Sequence, residues 1–292
     1  MTDQLVVVVV AYNSASIIEG LLDSLPAALQ GVDYGVIVVD NASVDDTCDV
    51  VARRADCRLL QAENLGYAAG INRGVSERPG ASAYLVLNPD VRLAPGFARP
   101  ALETLELPGT GIVAPRVIRA DGSLDLSLRR EPTLLRALGL TKLGHPLFAE
   151  HVTDPSDYDE PQVVDWALGA VLLVSGQCHR ALGGWDESFF LYSEETDFCL
   201  RARDAGYLTR YDPRPQALHI GGQSGQDDRT HSLQIVNRVE LFRRRHSAPA
   251  VLAYWFLGIL SELSWLARGH SQSKASVKAL LRMCRADRRF RG

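Results

Sequence analysis

Residues 5–12 read LVVVVVAY. Five consecutive valines with no polar alternation describe a strand covered on both faces, the environment of a central strand in a parallel sheet. The stretch that follows, NSASIIEGLLDSL (residues 13–25), places Ile17, Leu21, Leu22 and Leu25 at helical spacing, with Ser14 or Ser16 available as a cap. YGVIVVDNAS (34–43) reads as a second buried strand ending in Asp40. VDDTCDVVARRA (44–55) has acids in its first turn and Arg53 and Arg54 in its last, the polarity a helix dipole favours. CRLLQAEN (57–64) is a short third strand, YAAGINRGVS (67–76) a helix and AYLVLNPDV (83–91) a fourth strand. This alternation predicts βαβ units: an α/β, Rossmann-like, mostly parallel sheet flanked by helices.

In such sheets ligands bind beyond the carboxyl ends of the strands. Tyr12, Asn13, Asp40, Asn41, Asn64, Asn88 and Asp90 fall at four successive strand ends. Any one of them alone reads as a loop or cap residue; their joint placement points to a ligand. A dinucleotide site of the usual kind is excluded, because the turn AYNSAS after the first strand has no glycine to admit a pyrophosphate to the backbone. A divalent cation is the remaining way to hold phosphates. Asp90 in LNPDV is the candidate carboxylate, and a hard cation such as Mg²⁺ or Mn²⁺ completes its shell with phosphate oxygens and water. His219, in HIGGQS, suits Mn²⁺ as a further ligand, and the glycine-rich turn after it offers backbone N–H groups to a phosphate.

Of the 292 residues 46% are hydrophobic and 23% charged, ordinary for a folded α/β chain. The net charge of −4 hides an asymmetry: from Arg243 onward 11 Lys/Arg face two acids, while the first 242 residues carry a balance of −13. Basic tails serve nucleic acid or anionic membranes. The scarcity of aromatics in the last 25 residues leaves little for base stacking, so no nucleic-acid partner is expected. Five cysteines without a CxxC pair argue against a disulfide framework and against a cysteine zinc site. The N-terminus, with Asp3 where a signal peptide carries positive charge, reads as a cytoplasmic start. Residues 98–165, with seven prolines, look irregular; VVDWALGAVLLVS (163–175) is again strand-like, interrupted by Gly169.

Taken in order, VVVAYNSA, VIVVDNASVDDT, NLGYAAGINRG, LVLNPDV, GAVLLVSGQCHRALGGWDESFFLYSEETDFCLRARDAGY and HIGGQS resemble an inverting family-2 glycosyltransferase of GT-A fold, closest to the bacterial rhamnosyltransferase-like branch. The resemblance covers about residues 5–225. It implies that Tyr12 and Asn13 lie against the base and ribose, and that Asp40 accepts from a pyrimidine N3–H, favouring dTDP- or UDP-sugar donors. It further implies that Asn64, Gly66 and Asn72 line the nucleotide pocket. NPD would stand at the family's metal-binding motif, with Asn88 replacing its first Asp within the nucleotide-sugar site and Asp90 and His219 as metal ligands. Trp185, Asp186 and Glu194 would lie on the acceptor side. The acceptor implied is a glycan or a polyprenyl-linked sugar of cell-surface polysaccharide synthesis, and the sugar implied is rhamnose.

Glu194, Glu195 and Asp197 crowd the start of a helix expected over 194–205, with Ser193 as cap and Gly206 as stop. Asp197 has Arg201 at i+4 and reads as a helix brace. The family's base is usually the Asp of a Glu-Asp pair. Glu195 takes that position here and is the expected general base. A nucleotidyltransferase remains as an alternative enzyme, and a degenerate sugar-nucleotide scaffold as a non-enzymatic one.

The expected division is a glycosyltransferase domain over 1–245, with a nucleotide half to about residue 95 and an acceptor half from 96, followed by a helical basic tail over 246–292. Within the tail, PAVLAYWFLGILSELSWLA (249–267) reads as an interfacial helix on the inner face of a membrane. Packing on the body or on a second subunit, and a true span, are the other readings. A homodimer would form through these helices.

Overall fold

The computed structural model describes residues 5–138, 140, 145–221 and 228–286. The chain forms two compact units, residues 1–129, 153–190 and 194–223 in the first and 130–152, 191–193 and 224–292 in the second.

The first unit is built on a nine-stranded sheet. Its N-terminal half follows the sequence closely: β1 (Leu5–Ala11), α1 (Ile18–Ala28), β2 (Tyr34–Asn41), α2 (Thr47–Ala52), β3 (Arg58–Ala62), α3 (Tyr67–Ser76) and β4 (Ala83–Leu87). β1 is buried along its whole length and lies parallel between β2 and β4, with β3 parallel to β2 beyond. Helix α3 approaches β1 closely because its facing positions are glycines. A Cβ at Gly70 would meet Val10 Cγ1 at 2.6 Å, and one at Gly74 would meet Val8 Cγ1 at 2.5 Å.

The fourth strand is shorter than the sequence suggests. It ends at Leu87, the chain turns through Asn88–Asp90, and β5 (Val91–Leu93) joins the far edge of the sheet. Next come α4 (Ala98–Leu105), β6 (Thr110–Arg119), β7 (Leu128–Arg129), α5 (Leu134–Ala137), β8 (Gln162–Val164), β9 (Trp166–Ala167), β10 (Val171–Ser175), α6 (Gly176–Leu182), α7 (Glu194–Asp204) and β11 (Leu208–His219). The main strand order is β3-β2-β1-β4-β10-β6-β11-β5, with β8 paired to β11. β10 is antiparallel to both neighbours, whereas β6 and β11 are parallel to each other. The expected α/β architecture is present, with antiparallel strands confined to the second half.

The proline-rich middle is more regular than it reads. β6 runs for ten residues through Pro115, which faces Asp212 where the β6–β11 register slips. A strand proline without a ladder N–H is tolerated at such an irregularity. The core between sheet and helices gathers Leu5, Val7, Val9, Leu21, Leu25, Leu85, Leu87, Val171 and Leu173. The four cysteines whose side chains are described are free thiols.

The second unit is helical: α5, α8 (Asp228–Arg245), α9 (Ala248–Ala267) and α10 (Gln272–Ala286). Val239, Phe242, Val251, Tyr254, Ile259 and Leu280 form its core. A boundary at residue 245 is therefore replaced by one that groups 228–245 with the tail helices, because Val239 and Phe242 of α8 bury their side chains among those of α9 and α10. Part of the glycine-rich turn after His219 (residues 222–225) and the terminal Arg288, Arg289 and Arg291 lie outside the described residues.

Candidate active site

The register of β1 and β2 sets Ala11 against Asp40, so the segments leaving these two strands emerge side by side. Tyr12 is 53% exposed and offers its ring to a planar ligand. Asp40 is buried; its Oδ2 accepts from the Ser43 amide at 3.0 Å, while Oδ1 makes no hydrogen bond. A buried carboxylate oxygen without a partner is costly unless a ligand donor completes it. Asn13, with φ 50°, takes a bridging role: its amide donates to Ser43 Oγ at 2.8 Å and its Oδ1 accepts from the Val44 amide at 2.9 Å. Asn64 Oδ1 accepts from the Gly66 amide at 3.3 Å.

Two of the expected nucleotide contacts also bind the neighbouring protein. Asn72 donates from Nδ2 to the Trp185 carbonyl (2.8 Å) and Glu187 Oε1 (2.9 Å), and its Oδ1 accepts from the Trp185 amide (2.9 Å). Gly66, with φ 107°, leaves room for the Phe190 backbone: a Cβ there would stand 2.3 Å from the Phe190 carbonyl oxygen, to which the Tyr67 amide donates at 2.9 Å. Both residues hold the 184–190 loop against α3. Trp185, expected on the acceptor side, is buried, its indole stacked on Phe198 with centroids 4.3 Å apart. Asp186 closes a local turn, accepting from the Ser188 amide at 2.9 Å.

The LNPDV turn and the end of β11 meet because β5 pairs antiparallel with β11, setting His219 opposite Val91. His219 Nε2 lies 3.2 Å from Asp90 Oδ2, and its Nδ1 lies 3.7 Å from Asp125 Oδ2. Asp125, which the sequence reading missed, is buried and held by Arg119 at 2.9 Å. Nothing in the motif pattern marks it, since it arrives through the turn that follows β6. The carboxylates of Asp125 and Asp90 hold the imidazolium, pushing the His219 pKa up to about 9. Asn88 anchors the turn through its amide, which donates to the Ala170 carbonyl at 2.9 Å.

Asp90 Oδ1 is buried and makes no hydrogen bond. Once His219 Nε2 has given up its proton, the two residues form a one-carboxylate, one-imidazole donor pair that fits a divalent cation sharing its shell with phosphate oxygens and water. Among the described residues no group of three or more His, Cys, Asp or Glu side chains is placed to hold a metal unaided. Asp125 would orient the imidazole from behind.

Helix α7 brings the acids in. Tyr192 and Ser193 just before it have φ 68° and 73°. Ser193 thus departs from the extended backbone of an ordinary N-cap. Asp197 is braced as expected: Arg201 Nε donates to its Oδ2 at 2.6 Å, and the same guanidinium donates to the carbonyls of Leu182 and Gly184. Glu194 is 4% exposed, and its Oε2 makes no hydrogen bond. Burial, with the negative charge of Glu195 adding to it, raises its pKa well above the usual carboxylate range. The Glu195 side chain runs over Gly169, where a Cβ would meet Glu195 Cβ at 3.2 Å and Cγ at 3.5 Å.

Tyr67, at the start of α3, also belongs here. Its hydroxyl lies 3.5 Å from the Gly169 carbonyl oxygen. Its pKa is driven up by burial and then by the charges of Glu194, Glu195 and Asp90. The phenol therefore stays a proton-bearing donor among three carboxyl groups. The sequence reading passed over it because a Tyr at a helix start carries no motif of its own. The assembly gathers Glu194, with its raised pKa, Glu195 and Asp90 around the Tyr67 hydroxyl.

Residues 6–156 match the family described as Glycosyl transferase family 2. Over 98% of its length the chain is 30% identical to an N-acetylglucosaminyl-diphospho-decaprenol L-rhamnosyltransferase of Mycobacterium tuberculosis, covering 96% of that protein. It is 25% identical to the rhamnosyltransferase WbbL of Escherichia coli, over 73% of this chain and 82% of WbbL. Among solved structures it resembles a mannosyltransferase from Pyrobaculum calidifontis in complex with GDP-Man and Mn²⁺. There the TM-score is 0.57 and the identity 16%, over 100% of this chain and 83% of that one. It also resembles GalNAc-T7 with UDP, GalNAc and Mn²⁺ (TM-score 0.60, 14% identity), over 82% of this chain and 48% of that longer one.

Proposed function

This chain belongs to glycosyl transferase family 2, and from there we propose that it moves a rhamnosyl group, with inversion, from a dTDP- or UDP-linked donor to a polyprenyl-diphosphate-linked sugar in cell-surface polysaccharide synthesis. The substrate class is supported by the full-length similarity to a rhamnosyltransferase whose name specifies such an acceptor. The base preference is supported by the unpartnered Asp40 Oδ1, which suits the N3–H of uracil or thymine. Family membership removes the nucleotidyltransferase alternative.

The single observation that carries the mechanism is the Glu194–Glu195 pair, in which burial, with the neighbouring Glu195 adding to it, raises the Glu194 pKa well above the usual carboxylate range and favours its protonated form. Glu195 is then the carboxylate able to take a proton. It removes the acceptor hydroxyl proton as that oxygen bonds to the anomeric carbon from the face opposite the diphosphate. The bond from that carbon to the diphosphate oxygen breaks in the same displacement, so no enzyme nucleophile is needed. Tyr12 and Asp40 hold the base, and Asp90 and His219 are the residues that would hold a divalent cation. That cation, when bound, supplies neutralisation of the charge developing on the diphosphate. Tyr67 presents a hydroxyl donor to the same centre.

The test is transfer to a synthetic polyprenyl-diphospho-N-acetylglucosamine with a panel of pyrimidine nucleotide sugars and Mg²⁺ or Mn²⁺. dTDP-rhamnose should add one deoxyhexose to the acceptor. Glu195→Gln should lower kcat by ~100-fold or more while the donor still raises the melting temperature. Near-normal turnover of Glu195→Gln would remove the base assignment. If no pyrimidine nucleotide sugar is used, the substrate reading fails.

A further inference from the structure

Helix α9 is long and apolar enough to cross a membrane by length and composition alone, yet only part of its circumference faces outward. One side is packed within the helical unit. Val251, Tyr254 and Ile259 join its core, and Phe242 of α8 stacks on Tyr254 with centroids 4.0 Å apart. The Trp255 indole donates to the Leu280 carbonyl of α10 at 2.9 Å. Glu262, the sole acid in 246–286, is buried on this packed side, 3.1 Å from His231 Nε2.

The other side is exposed and apolar. Leu252, Phe256, Leu260 and Leu263 are 48, 54, 46 and 45% exposed. At 100° per residue they fall within an arc of about 80°, a stripe roughly 17 Å long. A contiguous apolar surface of this kind marks an interaction site. On α10, Lys274, Lys278 and Arg282 are exposed, spaced four residues apart and directed away from buried Leu280; Arg268 is exposed at the end of α9. With Glu262 buried, residues 246–286 show apolar and cationic groups to solvent and no carboxylate.

We propose that this helical unit docks on an anionic lipid surface, with α9 lying in the plane of the interface and its Leu252–Leu263 stripe entering the acyl boundary. Charge complementarity selects this occupant. A second copy would bring the same cations against these and no exposed acid to meet them, whereas phosphate headgroups match Lys274, Lys278 and Arg282. A crossing helix would have to draw Tyr254 and Glu262 out of the packing that holds them. Docking in the plane leaves that packing intact. The function gained is access to an acceptor anchored in the same surface, which rests on the polyprenyl-linked reading above; the docking itself does not.

The experiment is flotation of the full chain with acceptor-free vesicles, either of phosphatidylcholine alone or of phosphatidylglycerol and phosphatidylcholine in equal amounts. The wild type should float with the anionic vesicles. Combined Leu252→Ser, Phe256→Ser, Leu260→Ser and Leu263→Ser should weaken partitioning roughly tenfold or more. Separately, combined Lys274→Glu, Lys278→Glu and Arg282→Glu should abolish the preference for anionic lipid. An unchanged melting temperature and nucleotide-induced shift show that each variant is folded. The proposal is overturned if the wild type does not float, or if the serine variant floats equally well. It is also overturned if light scattering shows a wild-type dimer that the serine changes split without any lipid binding. Because the vesicles hold no acceptor and no transfer is read, failure of the docking is distinguishable from failure of the substrate reading.

Discussion

A Cβ added at Gly169 would stand 3.2 Å from the Cβ of Glu195, closer than packed side chains normally allow. Gly169 therefore sets where the Glu195 carboxylate can lie. Gly169→Ala should push that side chain by a few tenths of an ångström. Since catalysis is sensitive to sub-ångström placement, kcat should fall roughly tenfold with donor affinity unchanged. Steady-state kinetics beside donor titration checks this; unaltered kcat would show that the base does not depend on Gly169.

Glu194→Gln should behave quite differently from Glu195→Gln. The raised Glu194 pKa favours its protonated form, so an amide of the same shape should cost less than about threefold in kcat at neutral pH. Its raised pKa also has a stability sign. The folded state binds a proton that the unfolded state releases above the ordinary Glu pKa, so its penalty is absent in acid and grows as pH rises toward the folded pKa. Glu194→Gln should therefore raise the melting temperature more at pH 8 than at pH 5. Equal shifts at both would mean that Glu194 is ionised in the fold.

Asp40→Asn keeps the shape of the strand end but replaces one carboxylate oxygen with a donor. A pyrimidine N3–H bonded to Oδ1 would lose a charge-assisted hydrogen bond, and UDP or dTDP affinity should drop roughly 10- to 100-fold. Isothermal titration measures it. Affinity within twofold of the wild type would show that Asp40 does not read the base.

Asn237 donates from Nδ2 to the carbonyls of Leu191 (2.9 Å) and Tyr192 (3.1 Å), in the segment whose Tyr192 and Ser193 take positive φ. Left-handed backbone at two successive non-glycine residues persists only when held. Asn237→Ala should cost about 1–3 kcal/mol of stability, read by denaturant unfolding. A loss below about half a kcal/mol would mean that the turn needs no clamp.

The N-terminal half was legible because its signals are local. The valine run of β1, the periodicity of α1 and the polar residues closing β1, β2 and β4 each depend on a few adjacent residues, and Asp40 and Asp90 were found that way. The second half was less so. β6 hides behind Pro115, which is tolerated only because β11 slips register opposite it. Asn72 and Gly66 read as ligand contacts from their motif, and that reading gave no sign of the contacts that three-dimensional packing gives them with the 184–190 loop.

The sequence by itself determined the α/β alternation, the strand-end carboxylates and the acid cluster at the start of α7, because hydrophobic period and helix polarity act over one or two turns of chain. Only the tertiary structure decided that Glu194 is buried with a raised pKa, that Asp125 stands behind His219, and that Glu262 turns inward so that α9 shows an unbroken apolar stripe. Those outcomes depend on desolvation and on charges brought together across long stretches of chain, and neither exists until the sheet and the helices have packed.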